Sequence, residues 1–314
     1  MNGDSVRRRQ VIVTGATGLV GEALVHRLVD LGYGVVALTR DAAAAGRRFA
    51  RGEVRCVETL DDVPTDSRIE AIVHLAGARV LDRRWTSSRK KVLEESRLRI
   101  ASDVRRLVGR LARKPAVLVS ASAVSVYGAG SQERLTERSA LGETGFGAQL
   151  CARIEREALR AREFGVRVVP LRLGIVLART GGALPPLALS ARLGLAARLG
   201  TGQQPVSWIS LSDAVRLVVW LIESATIDGP VNAAAPDMPC QAEFARTLAA
   251  HFGRRARLWI PVALLRFMLG ERASLLLEGQ RAVPAAVLEG GFVFEHPSLS
   301  SAFRDIFAPR STEP

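Results

Sequence analysis

A glycine-rich turn near the start of the chain has the residue types and spacing to hold a phosphate group. The apolar run 11–13 leads into Gly15, Gly18 and Gly21, and apolar residues at helical spacing follow. In a strand–turn–helix unit, the first glycine permits a tight turn, the second lets the backbone approach a pyrophosphate, and the third lets the helix pack closely on the sheet. The helix N-terminus then presents free N–H groups to the phosphates. The pattern predicts a dinucleotide site that includes Gly15, Thr17, Gly18, Leu19, Val20 and Gly21.

The end of the second predicted strand bears on the choice between NAD and NADP. NAD binding favours an acidic residue at this position, where it takes the ribose hydroxyls. This chain has Thr39 and Arg40 there, followed by Asp41. An arginine pairs well with a 2′-phosphate, and a threonine hydroxyl adds a hydrogen bond. We therefore expect NADP(H), held by Thr39 and Arg40, although Asp41 weakens the contrast.

These residues need a sheet to position them, and the first half of the chain alternates strand-like and helix-like segments. This order predicts an α/β fold with a doubly wound parallel sheet and helices on both faces. The predicted strands are 10–14, 35–38, 71–75, 116–120 and 166–171, and the predicted helices are 21–31, 92–111 and 151–164. Beyond Leu177 the chain becomes loop-rich, with a helix at 212–223 capped by Ser212 or Asp213 and a last strand at 231–233.

Several further motifs resemble those of extended short-chain dehydrogenase/reductases. His74-Leu75-Ala76-Gly77-Ala78 is similar to the turn beneath the adenosine side of the cofactor, which implies cofactor contacts from Leu75, Ala76 and Gly77. Ser120-Ala121-Ser122 and Val126-Tyr127-Gly128 resemble the strand end that carries the catalytic serine or threonine and the segment after it. The resemblance implies a catalytic role for Ser122.

A closer resemblance, spanning nearly the whole chain, is to the atypical branch usually called "epimerase family protein". It is carried by Arg84-Trp85, Glu95-Ser96-Arg97, Leu171 to Leu177, Gly181 to Leu184, Gly200 to Gln203, Ser207 to Ile209, Leu269 to Glu271 and Gly291 to Phe294. It implies a Rossmann domain of residues 1–176 with 210–235, and a small substrate domain of residues 177–209 with 236–314. It implies no particular reaction, but it makes oxidoreductase or epimerase-like chemistry on a small molecule the expectation.

The Tyr-x-x-x-Lys pair of active short-chain reductases is missing from this chain. In that pair the tyrosine exchanges a proton with the substrate carbonyl, while the lysine lowers the tyrosine pKa and holds the nicotinamide ribose. Neither Tyr33 nor Tyr127 has a lysine four residues later, and the family position of the pair falls near Gly147 and Cys151. Tyr127 could donate the proton instead, with Ser122 polarising the carbonyl. The alternative is a protein that binds NADP(H) without turning it over, as a redox sensor or regulator.

Three further residues are candidates for lining a substrate pocket: Arg84, Trp85 and Trp208. Tryptophan stacks on rings, and arginine clamps phosphate or carboxylate groups. Ordinary packing and surface charge is the competing interpretation of all three. For Cys151 we expect a buried position on a helix rather than a reactive thiol, and for Asp213 helix capping rather than a place in a site.

Composition narrows the remaining classes of protein. The net charge is +13, with 41 of the 44 basic residues being arginine, yet these are dispersed and no nucleic-acid motif accompanies them, so we do not expect nucleic acid as a partner. Three separated cysteines and four scattered histidines predict neither disulfides nor a metal site. Neither a signal peptide nor a membrane-spanning segment is expected, which favours the cytoplasm. Family relatives often pair through a helix bundle, so a homodimer stays open.

Overall fold

The fold is built on a parallel sheet whose strands follow the predicted apolar runs. The computed structural model describes residues 9–50, 52–80, 82–130 and 133–309. Its strands, in chain order, are β1 (Gln10–Thr14), β2 (Gly34–Leu38), β3 (Val54–Val57), β4 (Ile69–His74), β5 (Val117–Ala123), β6 (Arg134–Leu135), β7 (Arg167–Leu173), β8 (Ile175–Leu177), β9 (Ala197–Leu199), β10 (Trp208–Ser210), β11 (Val231–Ala233), β12 (Leu258–Ile260) and β13 (Arg281–Ala282).

The helices connect these strands and cover the sheet. In chain order they are α1 (Leu19–Asp30), α2 (Ala42–Arg48), α3 (Ser87–Arg110), α4 (Phe146–Leu159), α5 (Leu184–Arg192), α6 (Leu211–Glu223), α7 (Gln241–His251), α8 (Val262–Leu269), α9 (Ser274–Leu277), α10 (Ala285–Glu289) and α11 (Leu299–Ile306). None of these helices, as far as the chain is described, is long and apolar enough to cross a membrane.

Seven strands form the main sheet, in the order β11-β7-β5-β4-β1-β2-β3, and every neighbouring pair is parallel. The predicted fold class, a doubly wound Rossmann-like sheet, is confirmed. The chain runs outwards in opposite directions from β1 and β4, so the loops that follow these two strands diverge. The crevice left at that switch point is where open α/β sheets bind their ligands.

Two hydrophobic cores cover the two faces of this sheet. On one face, α1 and α6 contribute buried side chains such as Leu24, Leu28 and Leu217. On the other, α3 packs its apolar stripe, including Val104 and Leu107, against the inward side chains of the strands. Burial of helix stripes on both faces is the main favourable term that holds such a layered fold together.

A third core belongs to the region after Leu177. It collects Leu184 of α5, Phe244 of α7 and Phe303 of α11 around Trp208. The segment around Val287, Phe292 and Phe294 does not join this core. Those three residues instead pack against the main sheet on the α1–α6 face. The C-terminal part of the chain therefore contributes side chains both to this core and to the third core.

Candidate functional site

The glycine turn between β1 and α1 forms a cradle that has no room for a side chain at two of its three glycines, Gly15 and Gly21. Gly15 has a φ of +69°, and a Cβ on it would lie 2.9 Å from the Cα of Ala76. A Cβ on Gly21 would overlap the carbonyl oxygen of Gly15, so α1 reaches the sheet only without a side chain there. Gly18 is exposed and is the N-cap residue of α1, and as a glycine it has no side chain with which to cap the helix. Its N–H bonds to Gly15 at 2.9 Å, which keeps the turn tight.

The end of β2 opens onto a cavity of about 190 Å³ that extends to the glycine turn. It is lined by Thr17, Thr39, Arg40, Asp41, Ala44, Ala45 and Arg48. Thr39 is buried, and its hydroxyl oxygen has no hydrogen-bond partner among the described residues. Arg40 is exposed. The two predicted cofactor residues that follow β2, Thr39 and Arg40, therefore meet Thr17 of the glycine turn in one cavity.

Two charged residues of this cavity are already used by the fold. Asp41 is the N-cap of α2, and its carboxylate accepts the Ala44 N–H at 2.8 Å. Arg48 binds the carboxylate of Glu22 in α1 through two nitrogens. Sequence reasoning missed Arg48, although positions 41, 44, 45 and 48 lie at helical spacing and so share one face of α2. Asp41 therefore caps α2, and this role explains why an acidic residue follows Arg40 at the end of β2.

The turn after β4 lies directly against the glycine turn. The Ala76 N–H donates to the Thr14 hydroxyl at 3.2 Å, and that hydroxyl lies 2.8 Å from Nδ1 of His74. Burial, followed by the charge of Arg97, lowers the pKa of His74 to about 4, although a hydrogen bond to the Arg97 backbone opposes this. Leu75 and Ala76 are half-buried, and Gly77 is exposed. The two predicted cofactor turns are therefore neighbours at the switch point.

The sheet face covered by α3 and α4 becomes polar at the carboxyl ends of its strands. Thr14, His74, Ser120, Ser122 and Arg172 follow apolar residues on the same face of β1, β4, β5 and β7. Register pairs them in order across the sheet, with His74 beside Ser120 and Ser122 beside Arg172. These buried groups therefore form one continuous polar row beneath the predicted cofactor site.

Ser122 donates a hydrogen bond of 2.7 Å to Oε1 of Glu155, a buried carboxylate on α4. Arg172 holds the same carboxylate with two bonds of 2.9 Å and 2.8 Å. Both charged side chains are almost fully buried, at 4% and 6% exposure, so the pair is neutral as a unit and fixed in place. Sequence reasoning missed Glu155 and Arg172 as partners because 17 residues separate them.

Tyr127 is joined to the same network through its hydroxyl. Arg172 donates to that oxygen at 2.8 Å, and the hydroxyl donates to Oδ1 of Asn232 at 2.7 Å. Burial raises the pKa of Tyr127, against a lowering by Arg172. Asn232 in turn donates to the carbonyls of Leu135 and Val283, at 3.2 Å and 2.8 Å. The hydroxyl predicted to donate a proton to substrate is thus engaged on both sides within the fold.

Cys151 lies near the position at which the family resemblance places the missing lysine. It is buried on α4, as expected from the sequence, and its sulfur lies 3.5 Å from the Ser125 hydroxyl. Burial raises the pKa of this thiol, while its hydrogen bonds with Ser125 and Ser122 act in the opposite direction. The thiolate, which is the nucleophilic form, is therefore disfavoured.

The three predicted substrate-binding residues are not brought together. Trp208 is 0% exposed inside the third core, so no surface of its ring is open to a substrate here. Its apolar ring surface is used for packing. Trp85 is half-buried, stacks edge-on against Phe146 and donates to the Val80 carbonyl at 2.9 Å. Arg84 is exposed and donates to the carbonyls of Phe267 and Met268 at the end of α8.

Asp213 holds a turn of the C-terminal region in place. Its carboxylate accepts the N–H groups of Glu295 and His296, both at 2.9 Å, and the guanidinium of Arg216 at 2.8 Å. The cap of α6 is Ser210 rather than Ser212 or Asp213, because the Ser210 hydroxyl accepts the Asp213 N–H at 3.1 Å. With its oxygens used in this way, Asp213 has a structural role and we assign it no metal.

Comparison with known proteins matches this architecture to one family. The model of the "NAD dependent epimerase/dehydratase family" matches residues 11–234, and a "Domain of unknown function (DUF1731)" matches residues 260–306. The epimerase family protein YfhF of Bacillus subtilis (strain 168) is 31% identical over 306 residues, covering 96% of this chain and 99% of the relative. Epimerase family protein MT2273 of Mycobacterium tuberculosis (strain CDC 1551 / Oshkosh) is 34% identical over 293 residues, covering 93% and 95%.

A solved structure agrees with this result. The human epimerase family protein SDR39U1 (isoform 2), crystallised with NADPH, is 30% identical and superposes with a TM-score of 0.86 over 95% of this chain and 98% of its own. The sheet order and the glycine cradle define a Rossmann-like fold of the extended short-chain dehydrogenase/reductase type. The chain belongs to the NAD-dependent epimerase/dehydratase family, and the resemblance noted in the sequence is confirmed.

Proposed function

We propose that this protein is an NADP(H)-dependent oxidoreductase that interconverts a hydroxyl and a carbonyl group on a small molecule. NADP(H), when bound, supplies or takes up the hydride. The residues present fit such a cofactor. Any side chain at Gly15 or Gly21 would fill the cradle, and the buried Thr39 hydroxyl lacks a partner. The NADPH in the similar human structure supports the same cofactor.

The cavity at the end of β2 supports NADP(H) over NAD(H). Arg40 offers a guanidinium there, and Thr39 offers a free hydroxyl, whereas the carboxylate of Asp41 is taken by the N-terminus of α2. A 2′-phosphate would find donors and positive charge in this cavity, whereas the one carboxylate among the described lining residues, that of Asp41, already accepts the Ala44 N–H through Oδ1.

The contact that carries the proposed chemistry is the 2.7 Å hydrogen bond from Ser122 to Glu155. A carboxylate only accepts hydrogen bonds, so the Ser122 proton points towards Glu155 and the oxygen keeps lone pairs for a substrate hydroxyl. During oxidation, Ser122 Oγ takes the proton of the substrate hydroxyl while its own proton passes to Glu155. Reduction runs the same path backwards, and epimerisation would use both directions in turn. The pair therefore takes the place of the missing tyrosine and lysine.

A second candidate function is binding of NADP(H) without turnover, as a redox sensor or regulator. The observation that favours it is the engagement of Tyr127, whose hydroxyl is held by Arg172 and Asn232. Asn232 extends this network to Val283, next to β13, so a change beside Ser122 could reach the C-terminal region. In this case the network would transmit cofactor occupancy rather than protons.

Calorimetric titration with NADPH and NADH, followed by turnover assays on a panel of aldehydes, ketones and nucleotide-linked sugars, tests the proposal. Ser122→Ala should lower turnover about 100-fold or more and leave NADPH affinity within about 2-fold, because a general acid–base group contributes on that scale. Ser120→Ala is the matched control, since Ser120 lies on the same strand face with an unpartnered hydroxyl. NADPH binding without any turnover would favour the sensor, and absence of binding would refute both candidates.

A further inference from the structure

Arg97 of α3 is built into the turn that follows β4. Its guanidinium donates to the carbonyls of Leu93 and Ala78, each at 2.9 Å. A Cβ on Gly77 would lie 2.7 Å from the guanidinium carbon, so the Gly77 backbone is in contact with the charged group. The neighbouring Ser96 accepts the Ala78 N–H at 3.1 Å and fixes the same turn. The side chain is therefore held rigidly beside a predicted cofactor contact.

The charge of Arg97 has no carboxylate partner in the structure. Within the described residues, no Asp or Glu oxygen lies within 4.0 Å of its guanidinium, whereas Arg172 is paired with Glu155. Two of its N–H groups bond to backbone carbonyls, and an arginine has five. Burial lowers its pKa, with the nearby Cys151 opposing and Arg89 adding to the effect. A half-buried cation without a counter-charge is unfavourable unless a ligand completes its contacts.

The order of strands indicates which ligand group reaches Arg97. The cavity with Thr39 and Arg40 lies at the end of β2, on one side of β1, and the Gly77 turn follows β4, on the other side. A dinucleotide whose 2′-phosphate lies at β2 and whose pyrophosphate lies at the glycine turn extends its other half towards β4 and β5. Ser122 stands at the end of β5 and forms a hydrogen bond with Cys151, and Cys151 is close enough to Arg97 to raise the pKa of its guanidinium.

We propose that Arg97 binds the nicotinamide half of NADP(H), donating hydrogen bonds to its ribose hydroxyls and adjacent phosphate oxygen. This inference rests on the proposed function. The Arg97 guanidinium would place a fixed positive charge near Cys151, in the region where the family resemblance expects the lysine of the Tyr-x-x-x-Lys pair. The hydrogen bonds from Arg97 to the Leu93 and Ala78 carbonyls fix the direction in which its remaining N–H groups point. Arg97 would therefore contribute to the affinity for the nicotinamide half of the cofactor.

The test is a pair of titrations, of NADPH and of adenosine 2′,5′-bisphosphate, which carries the adenosine half alone. Arg97→Met removes the charge and keeps an unbranched stem. We expect NADPH affinity to fall about 10- to 100-fold, the scale of a lost hydrogen bond to a charged group, and bisphosphate affinity to stay within about 2-fold. Arg99→Met, on an exposed position of the same helix, should change neither.

Bisphosphate binding also reports that the variant is folded. Equal weakening of both ligands in Arg97→Met would overturn the inference, because the residue would then act through the fold or on the adenosine half. Unchanged NADPH affinity would overturn it as well, while leaving the proposed function standing. Failure of the wild-type protein to bind NADPH would refute the proposed function itself.

Discussion

Replacing Tyr127 by phenylalanine removes one buried oxygen that makes two hydrogen bonds. That oxygen accepts from Arg172 at 2.8 Å and donates to Asn232 at 2.7 Å. The variant leaves the Asn232 oxygen without its donor, while Arg172 keeps both bonds to Glu155. A hydrogen bond involving a charged group contributes about 1.5 to 3 kcal/mol, so we expect the free energy of unfolding to fall by about 2 kcal/mol. For a chain of 314 residues this corresponds to a decrease in Tm of about 3 °C, because the entropy of unfolding is about 2.1 cal/mol/K per residue.

Thermal unfolding, read by circular dichroism, measures this change. Tyr33→Phe is the matched control, because Tyr33 is the other tyrosine of the chain, with a buried ring and a longer bond of 3.3 Å from its hydroxyl to Glu223. It should cost about 1 kcal/mol or less. If Tyr127→Phe unfolded at the wild-type temperature but lost turnover about 100-fold, the hydroxyl would be a proton donor to substrate and the structural interpretation would be refuted.

Three further predictions concern the cofactor cradle and acid stability. Arg40→Ala should lower the affinity for NADPH about 10- to 100-fold and hardly change the affinity for NADH, and Arg47→Ala, at another exposed position, is the control. If calorimetry showed both affinities falling equally, Arg40 would not be the residue that binds the 2′-phosphate. Gly18→Val should abolish dinucleotide binding without unfolding the protein, since a Cβ there meets only Gly15 O at 3.1 Å; retained binding would place the cofactor elsewhere. His74 keeps its proton less readily when folded, its pKa falling from 6.5 to about 4, so stability present above pH 6.5 should decline by about 3 kcal/mol towards pH 4. Denaturant titrations across this range should show a shallower decline for His74→Asn, and an identical decline would argue against the assignment.

The sign of the His74 effect follows from proton binding. Between pH 4 and pH 6.5 the unfolded chain binds more protons at this histidine than the folded chain does, so acid favours unfolding. The main cause is the burial of the His74 ring, followed by the positive charge of Arg97. Loss of Arg97 should therefore also raise the pKa of His74, because the second-largest cause of its lowering disappears.

Much of the fold was predictable because it depends on neighbours a few residues apart. The strand–turn–helix of the glycine motif, the alternation of strands and helices, and the buried stripe of α3 follow from spacings of two to four residues. The seven-stranded parallel sheet and the meeting of Thr17, Thr39 and Arg40 in one cavity match that interpretation. The switch point between β1 and β4 follows from the order of the strands, which the sequence pattern did not predict.

The proposed reaction centre depends on contacts that no local pattern encodes. Ser122 meets Glu155 across 33 residues, and Tyr127 meets Asn232 across 105, so only the packing of α4 on the sheet and the pairing of β11 with β7 show these hydroxyls to be engaged. The same holds for Trp208, whose residue type suggested a pocket but whose ring fills a core. Local spacing in the sequence determined where a dinucleotide can approach the chain. Tertiary packing decided which polar groups find partners within the protein and which, like Arg97, keep donors for a ligand. The reason is that burial and long-range pairing are set only when distant segments of the chain meet.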